Sequence, residues 1–277
     1  MPETSDPIGV FDSGIGGLSV WRAIRRELPF EPIIYLADQG HVPYGPRPLD
    51  EVRTYAGEIS RFLLANGCKL IVVACNAASA AALHWLRDQF PQVSFVGMEP
   101  AVKPAAEHTL TGKVGVLATP ATFQGLLYAS VVERFAYGVT IYQDTCPGLV
   151  AQIEAGQFDA KATRLILEKA LEPMLENNID TIVLGCTHYP FVIPLIQSIV
   201  GPDIRVIDPA PAVARQVHRL CKVNHLCNAE HVSAASVLSQ MQFYTTGSCG
   251  PFQDLLLRIL GETVQVNHLS WIDSKLV

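Results

Sequence analysis

Charge is scarce in this chain: Asp, Glu, Lys and Arg make up 17% of 277 residues, against 49% apolar. That balance excludes a disordered or tail-like protein, and the length suits two domains or one large α/β unit. Basic runs are also missing. No Lys/Arg stretch exceeds two in a row and the formal net charge is −6, so the electrostatic footprint of a nucleic-acid binder is absent. The longest apolar run, Leu70–Cys75, is far too short to span a membrane. The opening Met-Pro-Glu-Thr-Ser-Asp-Pro lacks the basic and apolar regions of a secretion signal, and a cytoplasmic chain with reduced thiols is expected. The seven cysteines contain no paired C-x-x-C spacing, which argues against a zinc or redox motif and against a disulfide scaffold.

Short β-branched runs alternate with helix-length amphipathic stretches, the pattern of parallel strands joined by crossover helices. Strands are expected at Ile8–Asp12, Ile33–Asp38, Leu70–Ala74, Val93–Gly97, Val114–Ala118, Val139–Gln143, Thr181–Gly185 and Arg205–Asp208. A helix is expected over Leu49–Asn66, where Leu49, Val52, Tyr55, Ala56, Ile59, Phe62 and Leu63 share one face and Asn66-Gly67 supplies the stop. Two segments recur at nearly one spacing. Ile8–Gly14 resembles Val114–Pro120, an offset of 114 − 8 = 106, and Ile71–Asn76 resembles Ile182–Thr187, an offset of 186 − 75 = 111. The shared offset points to two similar α/β units. The polar stretch Asn224–Gln240 carries no assignable pattern.

The repeat preserves chemistry. In each half an apolar strand ends in a cysteine and a small polar residue, Cys75-Asn76 and Cys186-Thr187, and strand ends of α/β sheets are where ligands bind. Cys75 leads into a helix expected over Ala77–Gln89 and Cys186 toward one over Phe191–Val200. A helix N-terminus is expected to lower each thiol pKa. Two thiols facing one ligand from opposite sides suit stereoinversion at carbon, where one base removes a proton and an acid on the other face returns one.

Asp12-Ser13-Gly14-Ile15-Gly16-Gly17 also follows a strand and opens a helix, so its amides can meet an anion. It partly matches a dinucleotide-binding turn, with Ser19 where the third glycine belongs and Asp38 placed as a ribose-binding acid. Asp12, however, would repel a pyrophosphate and could instead accept an ammonium group or assist a thiol. Pro43, Pro46, Pro48, Gly40 and Gly45 make Gln39–Pro48 a rigid, irregular loop of the kind that carries function. His188, two residues past Cys186, can activate that thiol or satisfy a loop carbonyl, and no further ligands stand close enough for a zinc site. Cys68, Cys146, Cys221, Cys227, Cys249, His218, His225 and His231 are read as structural.

Taken together, Ile8–Leu18, Tyr35-Leu36-Ala37-Asp38, Pro43-Tyr44-Gly45, Val73-Ala74-Cys75-Asn76 and Leu184–Pro190 resemble, in order and spacing, the motifs of the glutamate racemases. These are cofactor-independent enzymes of the aspartate/glutamate racemase superfamily that make D-glutamate for peptidoglycan. The resemblance implies an α/β fold of two pseudo-symmetric domains, with mostly parallel sheets flanked by helices and an active site in the cleft between them. It divides the chain into 1–98 plus 208–277 and 99–207. By resemblance, Cys75 acts on D-glutamate and Cys186 on L-glutamate, with Asp12 beside the first thiol and His188 beside the second, and Glu154 as a further assistant. Ser13, Tyr44, Gly45, Asn76, Ala77, Thr119, Thr122 and Thr187 match substrate-holding positions. One residue departs from the pattern. The family has Thr after Cys-Asn, and Ala77 keeps the backbone amide but lacks the hydroxyl donor, worth about 1.5–3 kcal/mol at a charged acceptor. No cofactor, metal, nucleic acid or membrane is expected; the expected partners are glutamate and a second copy of the chain in a homodimer. Two other readings stand beside this one: a related racemase acting on aspartate or another small dicarboxylate, and a nucleotide-binding module built on Gly14–Gly17.

Overall fold

A stretch such as Leu70-Ile71-Val72-Val73 has no polar face to offer water, so it is stable only where both sides of its sheet are covered. The computed structural model, which describes residues 2–228 and 241–277, meets that demand with two parallel sheets. Strands β1 (Ile8–Asp12), β2 (Ile33–Ala37), β3 (Leu70–Val73) and β4 (Ser94–Gly97) alternate with helices α1 (Leu18–Glu27), α2 (Leu49–Ala65) and α3 (Asn76–Gln89). After α4 (Val102–His108), β5 (Lys113–Ala118) leads through α5 (Pro120–Gln124) and α6 (Leu126–Phe135) to β6 (Thr140–Asp144). Then α7 (Leu149–Glu154) and α8 (Lys161–Glu176) precede β7 (Thr181–Gly185), and a 3₁₀ turn, Tyr189–Val192, with α9 (Ile193–Val200) precedes β8 (Arg205–Ile207).

The chain then returns to the first sheet. Helix α10 (Ala210–Val223) packs beside α1, and β9 (Gln242–Thr245), α11 (Cys249–Leu260) and β10 (Val266–His268) extend that sheet past β2. A short antiparallel hairpin, β11 (Trp271–Ile272) with β12 (Lys275–Leu276), closes the chain. The strand orders are β10-β9-β2-β1-β3-β4 and β6-β5-β7-β8. The order β2-β1-β3-β4 thus recurs as β6-β5-β7-β8, and the repeat read in sequence is a repeat of topology. In both cases the strand that ends in a cysteine lies next to the sheet's first strand, β3 beside β1 and β7 beside β5.

Burial follows the pattern. Every residue of β1, β2, β3 and β7 is buried, whereas the edge strands β6 and β8 are partly exposed. The eight strands expected from apolar runs are all present, each end within one residue of its expected place. Strands β9 and β10 were not expected. Gln242–Thr245 alternates exposed and buried positions, so it offers no continuous apolar run. Among the residues read as structural, Cys68, Cys146 and Cys221 are buried and Cys227 and Cys249 half-buried. His218 bonds Glu27 at 2.7 Å and His225 sits at a left-handed turn. His231 lies outside the described residues. Among those residues, no helix is long and apolar enough to cross a membrane.

One ion pair ties the first sheet's far end together. Lys69 Nζ meets Glu31 Oε2 at 2.5 Å with both side chains essentially inaccessible (0% and 2% exposed), and it also donates to the Thr4 carbonyl. Glu31 Oε1 accepts the Asn228 amide at 2.8 Å. Removing one partner of such a pair strands a buried charge. Lys69→Met is therefore expected to cost about 3–5 kcal/mol in urea unfolding, and Lys69→Met with Glu31→Leu to recover most of it; a loss under about 1 kcal/mol in the single variant would contradict the assignment.

Candidate active site

The C-terminal ends of both sheets' strands converge on one crevice. From the first sheet come Ser13 after β1, Pro43, Tyr44 and Gly45 after β2, and Cys75, Asn76 and Ala77 after β3. From the second come Thr119 after β5, Val150 on α7, and Cys186, Thr187 and His188 after β7. The crevice is narrow and nearly closed in this structure, with a cavity of about 20 Å³. Both thiols line it. Cys75 is the extended residue that starts α3, and Cys186 enters the 3₁₀ turn.

Behind Cys75 stands Asp12, fully buried. Its Oδ2 accepts the Gly17 amide at 2.6 Å and the Thr187 hydroxyl at 3.4 Å, and its carboxyl stands close enough to the Cys75 thiol for each to shift the other's titration. Its Oδ1 has no hydrogen-bond partner among the described residues, and neither does the amide nitrogen or oxygen of Asn76. Buried polar atoms are nearly always paired. Three orphans at one crevice mark a place built for a polar ligand.

Behind Cys186 stands His188, whose Nδ1 lies 3.8 Å from Cys186 Sγ and whose Nε2 lies 2.5 Å from Glu154 Oε1. Glu154 ends α7 and also reaches the other sheet. Its Oε1 accepts the Ile15 amide at 2.8 Å and its Oε2 the Gln39 side chain at 3.0 Å. Ser19 Oγ donates to the Thr187 carbonyl at 3.1 Å and the Ala121 amide to the Gly45 carbonyl at 3.0 Å. The crevice is thus closed by bonds from one sheet's loops to the other's.

Electrostatics differ on the two sides. Burial pushes the Cys75 thiol well above its usual value and the charge of Asp12 adds to this, while the Ala78 amide pulls weakly the other way. The sequence expectation of a helix-lowered Cys75 pKa is therefore overturned: at this buried position desolvation outweighs the helix terminus. Burial also raises Asp12, against the opposing pull of His188. For His188 burial alone would lower the pKa, but the bonds to Cys186 and Glu154 carry it well above 6.5. Glu154 is lowered despite its burial, through His188 and Gln39.

The loop Gly14–Gly17 does not offer itself to a nucleotide. Its Ile15 and Gly17 amides are already taken by Glu154 and Asp12, and a side chain on Gly14 would strike Glu154, or on Gly16 His188 and Asp12. These glycines allow the carboxylates to approach. Asp38, posed in sequence as a ribose-binding acid, is fully buried and bonded to Tyr44, Thr246 and Trp271. Thr122 is buried outside the lining, 3.1 Å from Thr119 Oγ1. Asp12 and Glu154 also stand behind the lining rather than on it. Pro43 lines the crevice from the loop flagged in sequence, whereas Val150 lines it without having been singled out and carries no polar signal that would have found it. Gln39, fixed by Thr245 at 2.9 Å, was missed although it neighbours a flagged acid.

The raised His188 pKa has a stability consequence. A group whose pKa is higher folded than unfolded stabilises fully below the unfolded value and loses this as pH rises through the folded one. Glu154→Gln is expected to cost most stability between about pH 5 and 6.5, where both partners are charged, with the difference shrinking at higher pH. Urea unfolding from pH 5 to 10 checks this; a pH-independent difference would contradict it.

Residues 8–217 match the family described as Asp/Glu/Hydantoin racemase. A glutamate racemase of Pseudomonas aeruginosa is 49% identical over 269 residues, covering 97% of this chain and 99% of its own. Among solved structures, a glutamate racemase from Bacillus anthracis superposes with a TM-score of 0.84 at 31% identity, covering 96% of this chain and 98% of its own. The Escherichia coli glutamate racemase, solved with L-glutamate and the activator UDP-MurNAc-Ala, superposes with a TM-score of 0.82 at 29% identity over 96% of this chain and 98% of its own. With motifs, paired sheets and family match in agreement over most of its length, the chain belongs to the Asp/Glu/hydantoin racemase family.

Proposed function

We propose that this chain is an isomerase that interconverts L- and D-glutamate by proton transfer between two thiols, without a cofactor, supplying D-glutamate for peptidoglycan. The observation that carries the reading is the presence of Cys75 and Cys186 on one small crevice, each after the equivalent strand of its sheet and each with its own ionisable neighbour. The relatives named as glutamate racemases, one of them holding L-glutamate, support glutamate over aspartate.

An amino-acid Cα–H is a very weak acid, so the site must hold both carboxylates and exclude water. The unpartnered Asn76 amide, the hydroxyls of Ser13, Thr119 and Thr187, and backbone amides at Gly45 and Ala77 are suited to bind those carboxylates. Tyr44 contributes a wall, because its hydroxyl is committed to Asp38, and Thr122 steadies Thr119. With L-glutamate, the Cys186 thiolate takes the Cα proton as S–H and leaves the electron pair on carbon. The Cys75 thiol then gives its proton to the opposite face and becomes thiolate. D-Glutamate runs the sequence backwards. Asp12 assists Cys75, and His188, held by Glu154, assists Cys186. The resting crevice keeps Cys75 as a thiol. A substrate ammonium brought near Asp12 and Cys75 favours their anionic forms, so bound D-glutamate itself helps to make Cys75 the base that its direction requires.

The same reading divides the chain into 1–98 plus 208–277 and 99–207, supported by the two sheets, with the working form a cytoplasmic homodimer. Cys75→Ala and Cys186→Ala are each expected to lower racemisation, followed by circular dichroism, by about 10²–10⁴-fold or more. Full activity in either variant would overturn the two-thiol reading.

A further inference from the structure

We infer that Trp271, in the C-terminal hairpin, is a positioning residue for the substrate crevice, acting through Asp38 and Tyr44; the inference rests on the glutamate reading of that crevice. The wall segment Pro43–Gly45 belongs to neither sheet nor helix, so no ladder fixes it. Two backbone bonds hold it, Arg47 N–H to the Tyr44 carbonyl at 3.0 Å and Ala121 N–H to the Gly45 carbonyl at 3.0 Å. The Tyr44 ring is buried and packs against Tyr55 at a centroid distance of 5.7 Å, and its hydroxyl donates to Asp38 Oδ2 at 2.5 Å, which fixes the ring's polar end.

Asp38 is therefore the node. It is fully buried, and a carboxylate so placed holds its position only if donors surround it. His41 Nδ1 approaches Oδ2 at 3.0 Å. Oδ1 accepts Thr246 Oγ1 at 2.6 Å and Trp271 Nε1 at 2.7 Å, and His41 Nδ1 also lies 3.3 Å from it. Trp271 comes from 233 residues away, and its ring packs on His41 and Tyr55 at centroid distances of 5.1 and 5.3 Å. The tail carrying it is registered by the Leu269 amide on the Thr245 carbonyl, 2.9 Å, and by paired bonds between Ser270 and Val277 at 2.8 and 2.9 Å. Removing the indole N–H takes one of the two close donors from Oδ1, leaving Thr246 and the longer His41 contact, and loosens the hold on the carboxylate. Tyr44 then turns with it, and the wall shifts without any change in the thiols or their partners. Affinity should suffer more than chemistry.

Trp271→Phe keeps the ring packing and removes only the donor. It is expected to raise KM for L-glutamate about five- to tenfold with kcat within about twofold. Thr246→Val removes another donor from the same oxygen and is expected to act in the same direction, which keeps the inference testable if Trp271→Phe fails to fold. In a Tyr44→Phe background the Trp271→Phe effect is expected to shrink, since the link it acts through is already cut. A KM unchanged in Trp271→Phe while Thr246→Val raises it, a fall in kcat at constant KM, or an effect as large in the Tyr44→Phe background would each overturn the inference. If the parent chain does not racemise glutamate, the functional reading fails separately. The wall is then read from the rate at which iodoacetamide alkylates Cys75, located by peptide mass. Trp271→Phe should raise that rate severalfold with Cys68 as the unaffected control, and equal rates would overturn the inference.

Discussion

A dry crevice can keep charged groups only if the protein supplies their partners, because an unpaired buried charge costs more than the fold can spare. Asp12, His188 and Glu154 all stand under that constraint. Their partners come from both sheets: the Gly17 amide and the Thr187 hydroxyl for Asp12, Cys186 for His188, and Ile15 and Gln39 for Glu154. Satisfying these groups therefore also brings the two sheets' loops together. The glycines at 14 and 16 leave room for the carboxylate and imidazole, and the Asn76 amide and Asp12 Oδ1 remain unpaired, as a place for a polar substrate requires.

The two sides are alike in backbone and unlike in charge. Strand orders repeat, and a cysteine follows the same strand of each sheet. Yet Cys75 faces a buried carboxyl and Cys186 an imidazole whose pKa is raised. Such asymmetry fits a reaction whose two directions begin from different faces of one carbon, with each thiol drawing on a different neighbour. It also explains why burial alone does not define the chemistry: burial pushes the Cys68 thiol up to about 12 and raises that of Cys146 as well, but neither lines the crevice.

Much of this was legible in the sequence because it is local. Continuous apolar runs marked the buried strands, and the recurrence of strand, cysteine and small polar residue marked both thiols. What escaped is set by distance in sequence or by burial. Strand β9 alternates exposed and buried positions, and β10 is three partly or fully exposed residues, so neither runs apolar. The rise of the Cys75 pKa depends on desolvation, which no spacing reveals. Glu154 stood out only by resemblance, since its bonds reach Ile15, Gln39 and His188 in three separate segments. Nothing near Trp271 announces a bond to an acid 233 residues away.

The central claim is that one thiol removes the Cα proton and the other supplies a different one from the opposite face. The most direct measurement is the Cα isotope content of substrate and product early in the reaction of L-glutamate in deuterated water without added cofactor. The account predicts D-glutamate deuterated at Cα and unreacted L-glutamate still protiated. D-Glutamate that retains its original Cα proton, or no exchange at all, would contradict it.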